Sequence, residues 1–299
     1  MSTLNNKKSL NEEVATIIAS NNSLNNKKRA LAKLGITPYE ITLLTANMPV
    51  DSSRVRSINF TFGVEIECGV EQGAIRRAAD ETGVSYQYER YNHTDGHSYF
   101  KFTTDASVSC PNAIECVSPV LKGKDGRDTL AKMIKTLNQA GAVVNKSCGL
   151  HVHIGARDLN NKQYCNVFAN YYHLETVIDS FMAESRRGNN NFYCQGLRNH
   201  NFSRCNTISD IQNELNADRY HKVNPMSYNR HRTIEFRQHQ GTVNEEKILN
   251  WITFCGKLVE WSKKNRLTAD VTSIDEIPFL TKAEKKFFNK RAEAFASNR

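Results

Sequence analysis

Three stretches of this chain place ionisable side chains two residues apart, the spacing that puts both on one face of a β-strand. Glu65 and Glu67 alternate with Phe62, Val64 and Ile66, His151 and His153 with Leu150, Val152 and Ile154, and Glu235 and Arg237 with Ile234 and Phe236. A fourth stretch sets Glu115 alone between Ile114 and Cys116. Each has an apolar face for a core and a polar face for chemistry. One E-x-E on a strand is ordinarily a solvated face, one H-x-H a surface or structural pair, and one R-x-x-E-x-R, as from Arg232 to Arg237, a salt-bridge ladder. Their joint occurrence, each with a clean apolar reverse face, argues for a shared site. Carboxylates gathered on one concave face repel and resist ionisation unless something compensates. Divalent cations remove that conflict: oxygen ligands suit Mg²⁺, and imidazole widens the choice to Mn²⁺. Arginine beside such a cluster suggests a phosphate group in the same place.

These side chains need a sheet to hold them. Strict period-2 alternation runs from Asn59 to Cys68 and stops at Gly69, which predicts a strand. Further strands are expected at 84–91 and 97–104, joined by a His-Thr-Asp-Gly turn region, and at 113–118, 149–155 and 233–239. Helices are expected up to Thr82, stopped by Gly83, over 128–140, stopped by Gly141, over 161–184 and 245–264, and from Thr281 with Glu284 as capping partner. In the 161–184 helix, Tyr164, Val167, Phe168, Tyr171, Leu174, Ile178 and Phe181 recur at helical spacing and read as core. The Asn- and Arg-rich stretch 186–206 reads as a long loop of the kind that covers active sites, with Arg186 a candidate for binding a carboxylate or phosphate. Strands interspersed with helices predict an α+β fold with a mainly antiparallel sheet. Residues 1–50 read as a separate helical appendage. Ser9 with Glu12 forms a capping box, and Thr37-Pro38-Tyr39-Glu40 repeats the signal. Residues 48–57 read as a linker, and 58–299 as the catalytic domain.

The composition narrows the class. Of the 299 residues 39% are hydrophobic and 9% aromatic, ordinary for a globular protein. No run approaches 18 apolar residues, so no membrane span is expected, and the N-terminal MSTLNNKKSLNEEV has no apolar signal core. A cytoplasmic location is expected. The eight cysteines form no C-x-x-C pair, which argues against a zinc ribbon and for reduced thiols. A net charge of +9 favours anionic partners; nucleic acid is among them but not the favoured one. No G-x-x-x-x-G-K-[ST] or G-x-G-x-x-G occurs, so a nucleotide would bind neither a P-loop nor a dinucleotide fold.

In order, FGVEIE (62–67), DASV (105–108), IECVSPVLKG (114–123), CGLHVHIG (148–155) and RTIEFRQHQGT (232–242) resemble the amidoligase family, related to glutamine synthetase and the glutamate–cysteine ligases. The resemblance spans about residues 60–255. It implies a glutamine-synthetase-like antiparallel sheet curved around a metal–ATP site. It implies, too, an ATP-dependent ligase that phosphorylates a carboxylate substrate and lets an amine substrate, possibly a peptide or macromolecule, displace the phosphate. By this resemblance Glu65, His151 and Glu235 match one metal's ligands, and Glu67 and Glu115 another's. Arg232 and Arg237 match phosphate-contacting arginines, and His153 a metal ligand or nucleotide contact. Asp105 and Ser107 match an Asp-Gly-Ser segment in which Ala106 replaces glycine, which implies a catalytic role for Asp105, with Arg237 and Arg232, and a nucleotide-binding role for Ser107. Arg232 has the wrong parity to share a face with Glu235 unless the strand start re-aims it.

Two other classes fit less well. A metal-dependent hydrolase would use His151, His153 and the carboxylates around zinc, but the chain has no H-E-x-x-H. A basic nucleic-acid-binding protein on a degenerate ligase core would not need the E-x-E, H-x-H and R-x-x-E-x-R set intact. Cys148, three residues before His151, also invites a thiol-nucleophile reading, which requires a lowered pKa.

Overall fold

The structure, a computed structural model, describes residues 9–20, 24–37, 40, 41, 44, 59–90 and 96–297. The chain divides into two compact units, residues 1–56 and 57–299. In the first, α1 (Leu10–Ala19) and α2 (Leu24–Lys33) are helical. Ser9 caps α1 reciprocally: its hydroxyl accepts from Glu12 N at 3.3 Å, and the Glu12 carboxylate accepts from Ser9 N at 2.9 Å. Thr37 and Glu40 make the same exchange at 3.3 and 3.0 Å. Pro38, Tyr39 and the linker expected at 48–57 lie outside the described residues.

The second unit is α+β. Its strands are β1 (Thr61–Gly69), β2 (Tyr86–Tyr88), β3 (Phe100–Thr103), β4 (Ala113–Val117), β5 (Leu121–Lys122), β6 (Gly149–Gly155), β7 (Val223–Asn224) and β8 (Thr233–Gln240). They form one sheet in the order β2-β3-β4-β1-β6-β8-β7, with β5 on the end of β1. The sheet is open and uncurled, ending on β2 and β7, and does not fold round a site as a curved sheet would. All pairs are antiparallel except β2–β3, which is parallel. The hairpin expected there is therefore absent. Period-2 patterning fixes which face a residue takes but not strand direction.

The apolar face of the sheet carries Phe62, Val64, Ile66, Leu150, Val152, Ile154, Ile234 and Phe236, all buried. It shares one core with residues of α3 (Gln72–Thr82), α4 (Gly123–Gln139), α5 (Asn161–Ser180) and α8 (Glu245–Ser262). Each fully buried aliphatic or aromatic side chain there is worth about 1.5–3 kcal/mol. Helix α5 stops four residues short of its expected end. Phe181 caps it and turns into the core, its ring 4.6 Å from that of Phe288 on α9 (Lys282–Ala296). As expected, Thr281 and Glu284 cap α9 reciprocally. The stretch 186–206 is a packed segment, not an open flap. It contains 3-10 turns at Phe192–Cys194 and Phe202–Arg204, started by Asn191 and Asn201 side chains that accept from Tyr193 N and Ser203 N, so its asparagines serve local turns. Cys194, Leu197, Phe202 and Cys205 within it are buried. Among the described residues no helix is long and apolar enough to cross a membrane.

Gly69 ends β1 at a close backbone approach. A Cβ there would lie 2.4 Å from the Pro111 carbonyl oxygen and 2.8 Å from Cys110 Cβ. Gly69→Ala is expected to destabilise the unit by about 1–3 kcal/mol through overpacking. An unchanged urea midpoint would contradict that contact.

Candidate functional site

The strand register assembles the site. β1 sets Glu65 opposite His151 of β6 and Glu67 opposite Glu115 of β4. β8 sets Glu235 opposite His153 of β6 and Asn224 of β7. Period-2 geometry sends all of these to the face away from the core. Between Val152↔Phe236 and Leu150↔His239 the register shifts, so Arg237 and Gln238 together oppose His151, a two-against-one bulge. Arg237 joins the carboxylates, while Gln238 bonds into the helix layer at Tyr171 Oη and the Arg186 carbonyl.

His151 stands at the centre. Its Nδ1 lies 2.9 Å from Glu65 Oε2 and 3.7 Å from Glu235 Oε1, and its Nε2 3.5 Å from Glu67 Oε1. His153 places Nε2 3.2 Å from Glu65 Oε1 and Nδ1 2.9 Å from Thr233 Oγ1. Arg237 donates to Glu235 Oε1 at 2.5 Å, and Asn224 to Glu235 Oε2 at 2.6 Å. Two groups, Glu65–His151–Glu235 and Glu67–Glu115–His151, bring their ligand atoms within 4.8 Å of one another. His151 belongs to both; His153 belongs to neither.

Electrostatics separate the carboxylates. Burial opposes ionisation of Glu65, but hydrogen bonds from His151 and His153 outweigh it and hold the carboxyl well below the usual range. Burial likewise opposes ionisation of Glu235, against which the Arg237 guanidinium and His153 prevail. For Glu115 burial is reinforced by Glu65, Glu67, Asp105 and Glu235, and its carboxyl rises well above the usual range. His153 is raised: burial favours its neutral form, but Glu235 and Glu65 outweigh it. The donor set is oxygen with one imidazole per group and no thiolate. That fits Mg²⁺ or Mn²⁺, and a cation there would relieve the crowding that opposes ionisation of Glu115.

A cavity of about 1020 Å³ opens over this face. Glu65, Glu115, His151, His153, Glu235, Arg237 and Asp105 line it. Glu67 lies beneath the lining, its Oε2 accepting from Gly149 N at 2.5 Å. Asp105 Oδ1 accepts from both the amide and the hydroxyl of Ser107 at 2.7 Å. Ser107 thus orients Asp105 without reaching the cavity, and Ala106 takes no left-handed conformation, so the turn needs no glycine.

Two expectations are corrected here, and the thiol alternative is answered. Arg232 is not in the cavity lining: at φ +55° it caps α7 (Ser227–His231) in the left-handed region, and its guanidinium lies 5.0 Å over the Tyr228 ring. Arg186 is buried with Nη2 on the Cys148 carbonyl at 2.7 Å and is not in the cavity lining. Cys148 is buried and pushed up to about 11, chiefly by burial, with Cys110 Sγ at 3.2 Å, so it is no activated nucleophile. Sequence reasoning passed over Lys101, Thr103 and Asn224. The alternation Phe100-Lys101-Phe102-Thr103 carried the signal for the first two; the two-residue β7 is too short to show a period.

Residues 59–259 match the family described as "Putative amidoligase enzyme". No curated protein matches the chain. A solved structure described as a "novel glutamine synthase homolog" aligns with a TM-score of 0.38 at 12% identity, over 86% of this chain and 66% of that one.

Proposed function

The chain belongs to the amidoligase family, and on that premise we propose that it is an ATP-dependent carboxylate–amine ligase working through an acyl phosphate. The observation that most supports this is the convergence of Glu65, Glu67, Glu115, His151 and Glu235 into two metal-competent groups beside Arg237, all but Glu67 lining one cavity. In this reading Glu65, His151 and Glu235 hold one divalent cation, and Glu67 and Glu115, sharing His151, hold a second. Bound cations would neutralise the polyphosphate and stabilise the transferred phosphoryl group. Arg237, pinned by Glu235, presents its remaining N–H donors to phosphate oxygen. A substrate carboxylate oxygen takes the γ-phosphoryl group of ATP and ADP leaves. The amine nitrogen then attacks the acyl carbon, phosphate departs with the C–O electron pair, and the nitrogen gives up a proton. Asp105, held by Ser107, is positioned as the acceptor for that proton, and His153 as a nucleotide contact. Arg232 is left out of this assignment. The kinship with glutamine synthetase is part of the same reading.

Calorimetry with Mg²⁺ and a non-hydrolysable ATP analogue tests it. Binding is expected with metal and not with EDTA, and Glu67→Ala should weaken it by about tenfold or more. A protein that binds no Mg-ATP, or whose affinity ignores Glu67→Ala, ends the proposal. ADP release that requires both a carboxylate and an amine would identify the reaction.

A further inference from the structure

We propose that Cys110 and Cys148 are an oxidative modification site, a thiol pair that a small peroxide closes to a disulfide and an added thiol reopens. Their Sγ atoms lie 3.2 Å apart, about 1.2 Å beyond the bonded distance. Of the eight cysteines, all free and buried, these two are the pair whose sulfurs touch. The main chains on either side already run together. Ser109 N donates to Ser147 Oγ at 2.9 Å, and Asn145 Nδ2 to the Ser109 carbonyl at 3.4 Å. With Val108 the two thiols form a small apolar cluster apart from the main core.

Cys110 is 9% exposed and Cys148 fully buried, so Cys110 meets the oxidant first. Its sulfur attacks one peroxide oxygen, the O–O bond breaks, and a sulfenic acid and one water result. Cys148 Sγ then attacks Cys110 Sγ, the S–O bond breaks, and the departing hydroxide takes the Cys148 proton as a second water. Two thiols lose two hydrogens, and the peroxide becomes two waters. Burial pushes Cys148 up to about 11, which slows this second step; contact with its target offsets that. The bond would join two segments that carry site residues. Cys110 lies between Asp105 and Glu115, and Cys148 precedes Gly149, whose N–H donates to Glu67 at 2.5 Å. It therefore braces the carrier of Glu115 against the partner of Glu67, two members of one metal-competent group. The pair's chemistry does not depend on the ligase reading.

The test treats the reduced, folded full chain with hydrogen peroxide and maps its tryptic peptides. Peptides 102–122 and 147–157 should be joined through Cys110 and Cys148, with a mass loss of two hydrogens, and dithiothreitol should part them. Closing a loop across 38 positions should raise the melting temperature by about 5–10 °C. Amide exchange over 104–112 should slow in the linked form. Cys110→Ser should form no such link, and Cys116→Ser, which changes the other thiol of peptide 102–122, should keep it. No link in the wild type, a first link between any other pair, or a linked form that melts no higher than the reduced one would each overturn the proposal.

Discussion

His151→Ala is expected to remove both cation sites at once and to lower ATP turnover by about a hundredfold, the cost of about 3 kcal/mol of transition-state stabilisation. The reason is its position: the ring belongs to both metal-competent groups and lies within 3.7 Å of Glu65, Glu67 and Glu235. Glu235→Ala touches only one group. Electron paramagnetic resonance of bound Mn²⁺ distinguishes the variants, with weakening at both sites in His151→Ala and at one in Glu235→Ala. Circular dichroism checks that each variant is folded. Unaltered Mn²⁺ binding in His151→Ala would show the cluster to be a structural hydrogen-bond network.

The largest loss of stability should come from Lys222→Ala. Lys222 is fully buried, and its ammonium lies 2.8 Å from Glu175 and 2.7 Å from Asp179. Glu175 also accepts from Leu197 N at 2.7 Å, tying the 186–206 segment to α5. Removing one member of a buried ion pair leaves a charge without compensation and costs about 3–5 kcal/mol. Urea unfolding should show that loss, and the double variant Lys222→Ala/Glu175→Ala should recover part of it through the coupling of the pair. A loss below about 1 kcal/mol would mean that water reaches the pair and screens it.

Much of the site could be read in the sequence because strand alternation is a local property. Glu65, Glu67, Glu115, His151, Glu235 and Arg237 follow from period-2 spacing against an apolar reverse face, and the register brings them together. What failed was what alternation does not encode. The parallel pairing of β2 with β3 depends on the path of a connection. The position of Arg232 depends on a left-handed cap that parity cannot foresee. Arg186 lies in a segment whose Asn-rich composition resembles an open loop, yet its turns place the guanidinium on a buried carbonyl. Lys101 and Thr103 were visible as alternation but carried no recognised motif, and only the fold sets them in the cavity lining.

The bulge in β8 makes residue count part of the site's specification. At Arg237 and Gln238, adjacent residues look to opposite sides, one to the cavity and one to the helix layer. Deleting Gln238 would restore a regular ladder with Arg237 still opposite His151 and His239 opposite Leu150, at the cost of the amide that bonds Tyr171 and Arg186. Deleting Phe236 instead would make Glu235 and Arg237 immediate neighbours on opposite faces, and they could then no longer share a surface with His151. The length of this strand is thus as constrained as its chemistry, and substitutions should be tolerated along it far more readily than any insertion or deletion.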